Sequence, residues 1–141
     1  MLPASSKFRP ATPDDKTWVI ELFASCGQLG DKHVANSQWF RFWQAKNPRE
    51  HWIVDHNNSA FCHYLVAING TRSIYEIAVA VGARRTGLGK AMLDQVGTPT
   101  RCKTDVTNVA SNAFYASAGF ICVAKHKKRN SDGVSAVWYK G

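Results

Sequence analysis

Two groups of residues have the types and spacing for chemistry. The first is Gly82-Ala83-Arg84-Arg85-Thr86-Gly87-Leu88-Gly89-Lys90, which follows an apolar, strand-like run and leads into apolar residues at helical spacing. A strand that turns through glycines into a helix leaves free backbone N–H groups at the positive end of the helix, and together these hold an anion. Gly87 and Gly89 let a pyrophosphate approach the main chain, and Arg84, Arg85 and Lys90 add charge. The second group is His63 and Glu76. Asn69-Gly70 between two apolar runs marks a hairpin, because both residues tolerate positive φ. A two-residue loop there pairs Ile68 with Thr71, and counting back sets His63 opposite Glu76 on one face, where the imidazole can tune the carboxylate or relay its proton.

The charge distribution points the same way. The net charge of the 141 residues is +8. Residues 82–141 carry ten Lys/Arg against three Asp/Glu, whereas residues 1–81 are almost balanced, so an anionic partner is expected on the second half. A phosphorylated cofactor, a nucleic acid and an acidic protein all satisfy that demand. The four cysteines, Cys26, Cys62, Cys102 and Cys122, are scattered without a C-x-x-C pair. Neither a metal site nor a disulfide framework is expected, and the thiols read as reduced core fillers. No run approaches the ~20 apolar residues of a membrane span, and the first residues lack a basic-then-apolar leader, which predicts a cytoplasmic protein.

The elements that must position these groups can be read from periodicity. A strand near Lys7-Phe8-Arg9 leads to Thr12-Pro13-Asp14-Asp15, a helix start in which Asp15 can close a capping box. Trp18, Val19, Leu22, Phe23 and Cys26 then form a buried stripe that Gly27 and Gly30 end. A second helix is expected from Asn36 or Ser37 to Lys46, with Trp39, Phe42 and Trp43 inward. Strands follow at 51–55, 60–68 and 72–81, then a helix with Leu88, Ala91, Met92 and Val96 inward. A strand at 102–106, a helix at 108–118 and strands at 120–124 and 134–139 complete the chain, with the basic run Lys125-His126-Lys127-Lys128-Arg129 in the last turn. This order predicts one α/β domain, residues 1–141, with a mixed central sheet flanked by helices.

The glycine turn in its setting resembles motif A of the Gcn5-related N-acetyltransferases, the GNAT family. A valine-bearing strand, Ile77-Ala78-Val79, precedes Arg84 by the family's interval of four residues. Downstream, Asn108 followed by Phe114-Tyr115 and Gly119-Phe120 is similar to a second family element, with Ser111 in place of the usual small Ala. Phe8-Arg9-Pro10-Ala11-Thr12-Pro13-Asp14-Asp15 is similar to the family's opening strand and helix start, so the likeness spans nearly the whole chain.

The resemblance implies a GNAT-like, mostly antiparallel sheet and acetyl-CoA as co-substrate. It implies that Ile77, Ala78 and Val79 offer main-chain hydrogen bonds to the pantetheine arm, where their strand splays from a parallel neighbour. Arg84, Arg85, Thr86, Gly87, Leu88, Gly89 and Lys90 would surround the pyrophosphate, and Asn108 would touch the cofactor from the next helix. Direct attack of an amine on a thioester needs a base for the ammonium, a donor for the oxyanion and an acid for the thiolate. Tyr115 falls where the family commonly places that acid. Glu76 is one candidate base and Asp105 its rival, while some relatives use water alone. The acceptor is left open among small amines, peptides, proteins and nucleic acid or aminoacyl-tRNA, the last through the basic run 125–129. So are a homodimer and a module that binds acyl-CoA or nucleic acid without turnover.

Overall fold

The computed structural model describes residues 6–26, 32–129 and 131–141; the expected helix stop at Gly27 and Gly30 lies outside the described residues. Strand β1 (Phe8–Pro10) passes through a 3-10 turn at Pro13–Asp15 into helix α1 (Lys16–Ser25). Asp15 makes that junction. Its carboxylate accepts both Arg9 guanidinium N–H groups at 2.8 Å, and the Thr12 main-chain N–H and the Trp18 indole N–H at 2.9 Å. These donors, Arg9 foremost, hold its pKa well below the usual carboxylate range.

Helix α2 (Lys32–Ala45) begins a turn earlier than the sequence predicts. Asn36 has the type of a helix cap, but its side-chain amide donates to the Lys32 carbonyl at 2.8 Å, one turn back. Ala35 is fully buried, so the early turn is also held by packing. Strands β2 (Glu50–Asp55), β3 (Ala60–Val66) and β4 (Arg72–Val79) follow, then α3 (Leu88–Val96), β5 (Thr100–Asp105), α4 (Val109–Ser117), β6 (Ile121–Lys127) and β7 (Val134–Lys140). They form one seven-stranded sheet in the order β1-β2-β3-β4-β5-β7-β6, parallel only between β4 and β5. The predicted α/β architecture with a mostly antiparallel sheet is the observed one.

Alternation along the strands sorts the apolar residues onto two faces. Trp52, Val54, Phe61 and Ala78 pack under α1 and α2 with Val19, Phe23 and Trp39. Ile53, Cys62, Ile74 and Cys102 pack under α3 and α4 with Met92, Leu93 and Tyr115.

The β3–β4 hairpin differs from expectation in two ways that cancel. The strands stop at Val66 and Arg72, so the loop has five residues and Ile68 does not pair with Thr71 but stands 88% exposed. The Asn69 side chain accepts the Thr71 N–H at 3.0 Å, which widens the loop. Further along, Tyr64 pairs with Ile74 and His63 with Glu76, leaving Tyr75 as an extra residue in β4. That bulge restores the expected His63–Glu76 pairing. It also flips the parity of the strand: Ile74 faces α3 and α4, whereas Glu76 joins His63 on the other face.

The basic run is a second correction. Lys125 to Lys127 belong to β6 rather than to a turn, which begins only at Lys128. β6 is an edge strand, and exposed lysines along an edge oppose pairing with another chain.

Candidate active site

Strands β4 and β5 are hydrogen-bonded only where Arg72, Ser73 and Ile74 meet Thr100, Arg101 and Cys102. Past that point the bulge at Tyr75 turns β4 away, while β5 stays paired with β7 as far as Asp105. The resulting wedge holds a cavity of about 330 Å³. Tyr75, Glu76 and Ile77 form one wall, Cys102 to Asp105 the other, and Asn108, Ser111 and Tyr115 of α4 close it from one side. It lies at the carboxyl ends of the two parallel strands, the position where α/β sheets commonly bind ligands. Ala78 is buried toward α1 and α2, and neither it nor Val79 lines the cavity.

Residues 84–90, none of which lines the cavity, follow β4 in the chain and run into α3. Arg84 donates from Nε to the Val79 carbonyl at 3.1 Å, and Thr86 Oγ1 donates to the Ala83 carbonyl at 2.6 Å. Arg85 and Gly87 take left-handed φ values of 63° and 81°. Gly87 caps α3, whose first helical bond runs from the Ala91 N–H to the Gly87 carbonyl at 3.0 Å. The amides ahead of Ala91 therefore have no carbonyl of the helix before them. Gly89 has a further reason to lack a side chain: a Cβ there would fall 2.9 Å from the Phe114 ring. Its smallness lets α3 and α4 come together.

On the β4 wall, Glu76 Oε2 is 2.6 Å from His63 Nδ1, and His63 Nε2 is 2.5 Å from Glu50 Oε2. His63 is 1% exposed and Trp52 stacks on it, with ring centroids 4.1 Å apart and planes at 11°. The sequence reading missed Glu50. The hairpin around Asn57-Asn58 sets Trp52 opposite His63, and Glu50 is the next residue of β2 on that face. A two-residue loop at Asn57-Asn58 gives the same register by counting, so the signal for Glu50 is present in the sequence.

On the side closed by α4, burial pushes the Tyr115 phenol well above its ordinary pKa. Burial likewise raises the adjoining Cys102 thiol to about 12, so it stays protonated. Asp105 lines the same cavity but accepts the Thr107 N–H at 2.9 Å and the Thr107 hydroxyl at 2.6 Å, and is ion-paired with Lys128. These partners, Lys128 foremost, hold its pKa well below the usual range. Asn108 caps α4, its side-chain oxygen accepting the Ser111 N–H at 3.1 Å. Asn112, which the sequence did not single out, fastens α4 to the end of β5 by donating to the Asp105 and Val106 carbonyls at 3.3 and 3.1 Å.

A strand pair that opens into a cavity, next to a glycine turn between strand and helix, defines a class of mixed-sheet α/β fold with its candidate site at the splayed strands. Residues 47–122, more than half of the chain, match the family model described as an acetyltransferase (GNAT) domain, and the chain belongs to that family of acetyltransferases. Among solved structures, a GNAT-family protein of Desulfovibrio desulfuricans is 22% identical with a TM-score of 0.79, the match covering 94% of this chain and 96% of that one. The ribosomal-protein-S18-alanine N-acetyltransferase of Escherichia coli is 16% identical with a TM-score of 0.69, covering 94% and 90%. A Bacillus anthracis protein described as a streptothricin acetyltransferase, in complex with acetyl coenzyme A, is 23% identical with a TM-score of 0.59 over 67% of this chain and 64% of that one. Among curated proteins no sequence matches. Among the described residues no helix is long and apolar enough to cross a membrane.

Proposed function

We propose that residues 1–141 act as one domain that transfers the acetyl group of acetyl-CoA to an amine by direct attack. The observation that carries this reading is the wedge itself: β4 is unpaired with β5 beyond Ile74, and Glu76 and Tyr115 line one cavity there. An unpaired strand edge holds an amide-bearing arm as it would another strand, so the pantetheine arm lies along Ile77 to Val79. The diphosphate sits on the amides and cations of 84–90, with Asn108 near it from α4.

Glu76 takes the proton of the acceptor ammonium, and the amine nitrogen attacks the thioester carbonyl. A main-chain N–H of the free β4 edge stabilises the oxyanion. Tyr115 gives its proton to the departing thiolate and is reprotonated by the second proton that the attacking nitrogen sheds as the amide forms. Asp105, committed to Lys128 and Thr107, is a weak base and serves to order the end of β5. Cys102, protonated, is no nucleophile, which favours direct attack over an acyl-cysteine. A nucleic-acid acceptor has less behind it, since the run 125–129 lies largely in an edge strand and Lys128 is engaged by Asp105. Four unpaired cysteines suit a reducing compartment, and we take the cytoplasm as its place.

The test is release of free thiol from acetyl-CoA across polyamines, amino acids and peptides. Turnover with at least one amine is expected. Calorimetry showing no uptake of coenzyme A by folded protein would remove the reading.

A further inference from the structure

Glu50 lies outside the cavity, yet it completes a chain of three groups that begins inside it. Glu76 forms part of the cavity wall with 8% of its side chain exposed, His63 is sealed at 1%, and Glu50 returns to 18%. We propose that Glu76, His63 and Glu50 form a proton relay whose outlet is Glu50, carrying the proton of the acceptor from the cavity to solvent. This rests on the amine-acetylation reading above.

The stoichiometry demands an exit. An ammonium that becomes an amide loses two protons; the leaving thiolate takes one, and the other must reach bulk water. Once substrates fill the wedge, the polar partner of the Glu76 carboxylate among the described residues is His63, set in an aromatic surround. That surround contains Trp52, stacked on the imidazole, Phe42 of α2 at 6.4 Å and Tyr75 of β4 at 4.9 Å between ring centroids. Tyr75 is the one titratable ring in it.

The two contacts, at 2.6 and 2.5 Å, are hydrogen bonds, so each contains one proton. When the amine's proton arrives at the other oxygen of Glu76, the proton shared by Glu76 and His63 settles on Nδ1. The proton on Nε2 then passes to Glu50, which gives it to water. Only O–H and N–H bonds break and form, and the chain keeps its starting proton count. Once product leaves, the proton now on Glu76 is lost through the open cavity and the Glu50–Nε2 contact regains one from water, which restores the starting arrangement. A tie whose sole purpose was to fasten β2, β3 and β4 together would not need one end in the cavity and the other toward solvent.

Glu50→Gln keeps the shape of the side chain and removes the acceptor carboxylate. With the best amine of the panel and dilute buffer, kcat should fall on the order of tenfold. The KM for acetyl-CoA should stay put, and added imidazole should restore the rate by removing the proton directly. Glu50→Asp, which retains a carboxylate, should keep more of the rate and serves if the Gln variant does not fold. A Glu50→Gln rate within about twofold of the parent in dilute buffer, or a loss that imidazole cannot restore, overturns the relay. A second measurement needs no acceptor. Proton NMR of the parent should show two strongly downfield, slowly exchanging signals from the His63 contacts, one of which vanishes in Glu50→Gln. Their absence overturns the relay even if acetylation is established, whereas their presence without turnover of any amine would count against the acetylation reading alone.

Discussion

The ring of Phe114 occupies the space that a side chain at Gly89 would need, its Cε1 only 2.9 Å from where a Cβ would stand. One residue belongs to the glycine turn and the other precedes Tyr115, so the proposed diphosphate cradle and the proposed acid are held at a common distance by one contact. Gly89→Val should push α3 from α4 at a cost of about 1–3 kcal/mol, as overpacking does. Denaturant unfolding should show the loss, and calorimetry should show weaker binding of coenzyme A. Unchanged values in both would mean that this contact does not set the distance.

Tyr115 offers a cleaner chemical test. Tyr115→Phe retains the ring that packs on Phe120, 5.3 Å between centroids, and removes only the hydroxyl. We expect kcat to drop by roughly 10²-fold or more with little change in the KM for acetyl-CoA. A kcat equal to the parent's would end the acid assignment.

Glu76→Gln should lower kcat by roughly 10²-fold to 10⁴-fold, the range expected when a positioned base is lost. The loss should shrink toward higher pH, where more of the free acceptor amine is already deprotonated. Rate profiles for parent and variant would show the two curves converging; parallel curves would contradict the role.

Acid stability should report on Asp15. Its pKa is depressed in the folded protein, chiefly by Arg9, so the unfolded chain binds its proton first as pH falls. The stabilisation is complete above the ordinary carboxylate pKa of about 4 and is lost progressively below it. Asp15→Asn should cost about 2 kcal/mol at neutral pH, in line with hydrogen bonds to a charged group, and the difference from the parent should narrow as pH drops below about 4. Urea unfolding at several pH values would show this, and a gap that widened in acid would refute it.

Much of the molecule was legible in the chain because it depends on local pattern. Element order follows from residue spacing of two or 3.6, and the turn at 82–90 from glycines between a strand and a helix. Counting from Asn69-Gly70 gives the His63–Glu76 pair, although the loop is longer than the count assumes and a bulge that no residue type announces restores the register. The early start of α2 and the strand character of Lys125 to Lys127 were missed for a related reason. Packing of Ala35 in one case, and pairing with β7 in the other, outweighed the local preferences of Asn36 and of a lysine run.

The sequence by itself determined the α/β class, the glycine turn between strand and helix and the family likeness, since each is written in residues near one another along the chain. Only the tertiary structure decided that β4 parts from β5 after Ile74, that Glu50 stands behind His63, and that Asp105 is taken up by Lys128. Each of these joins segments distant in sequence. Their meeting depends on how strands pair and bend in space, which no single stretch of residues encodes.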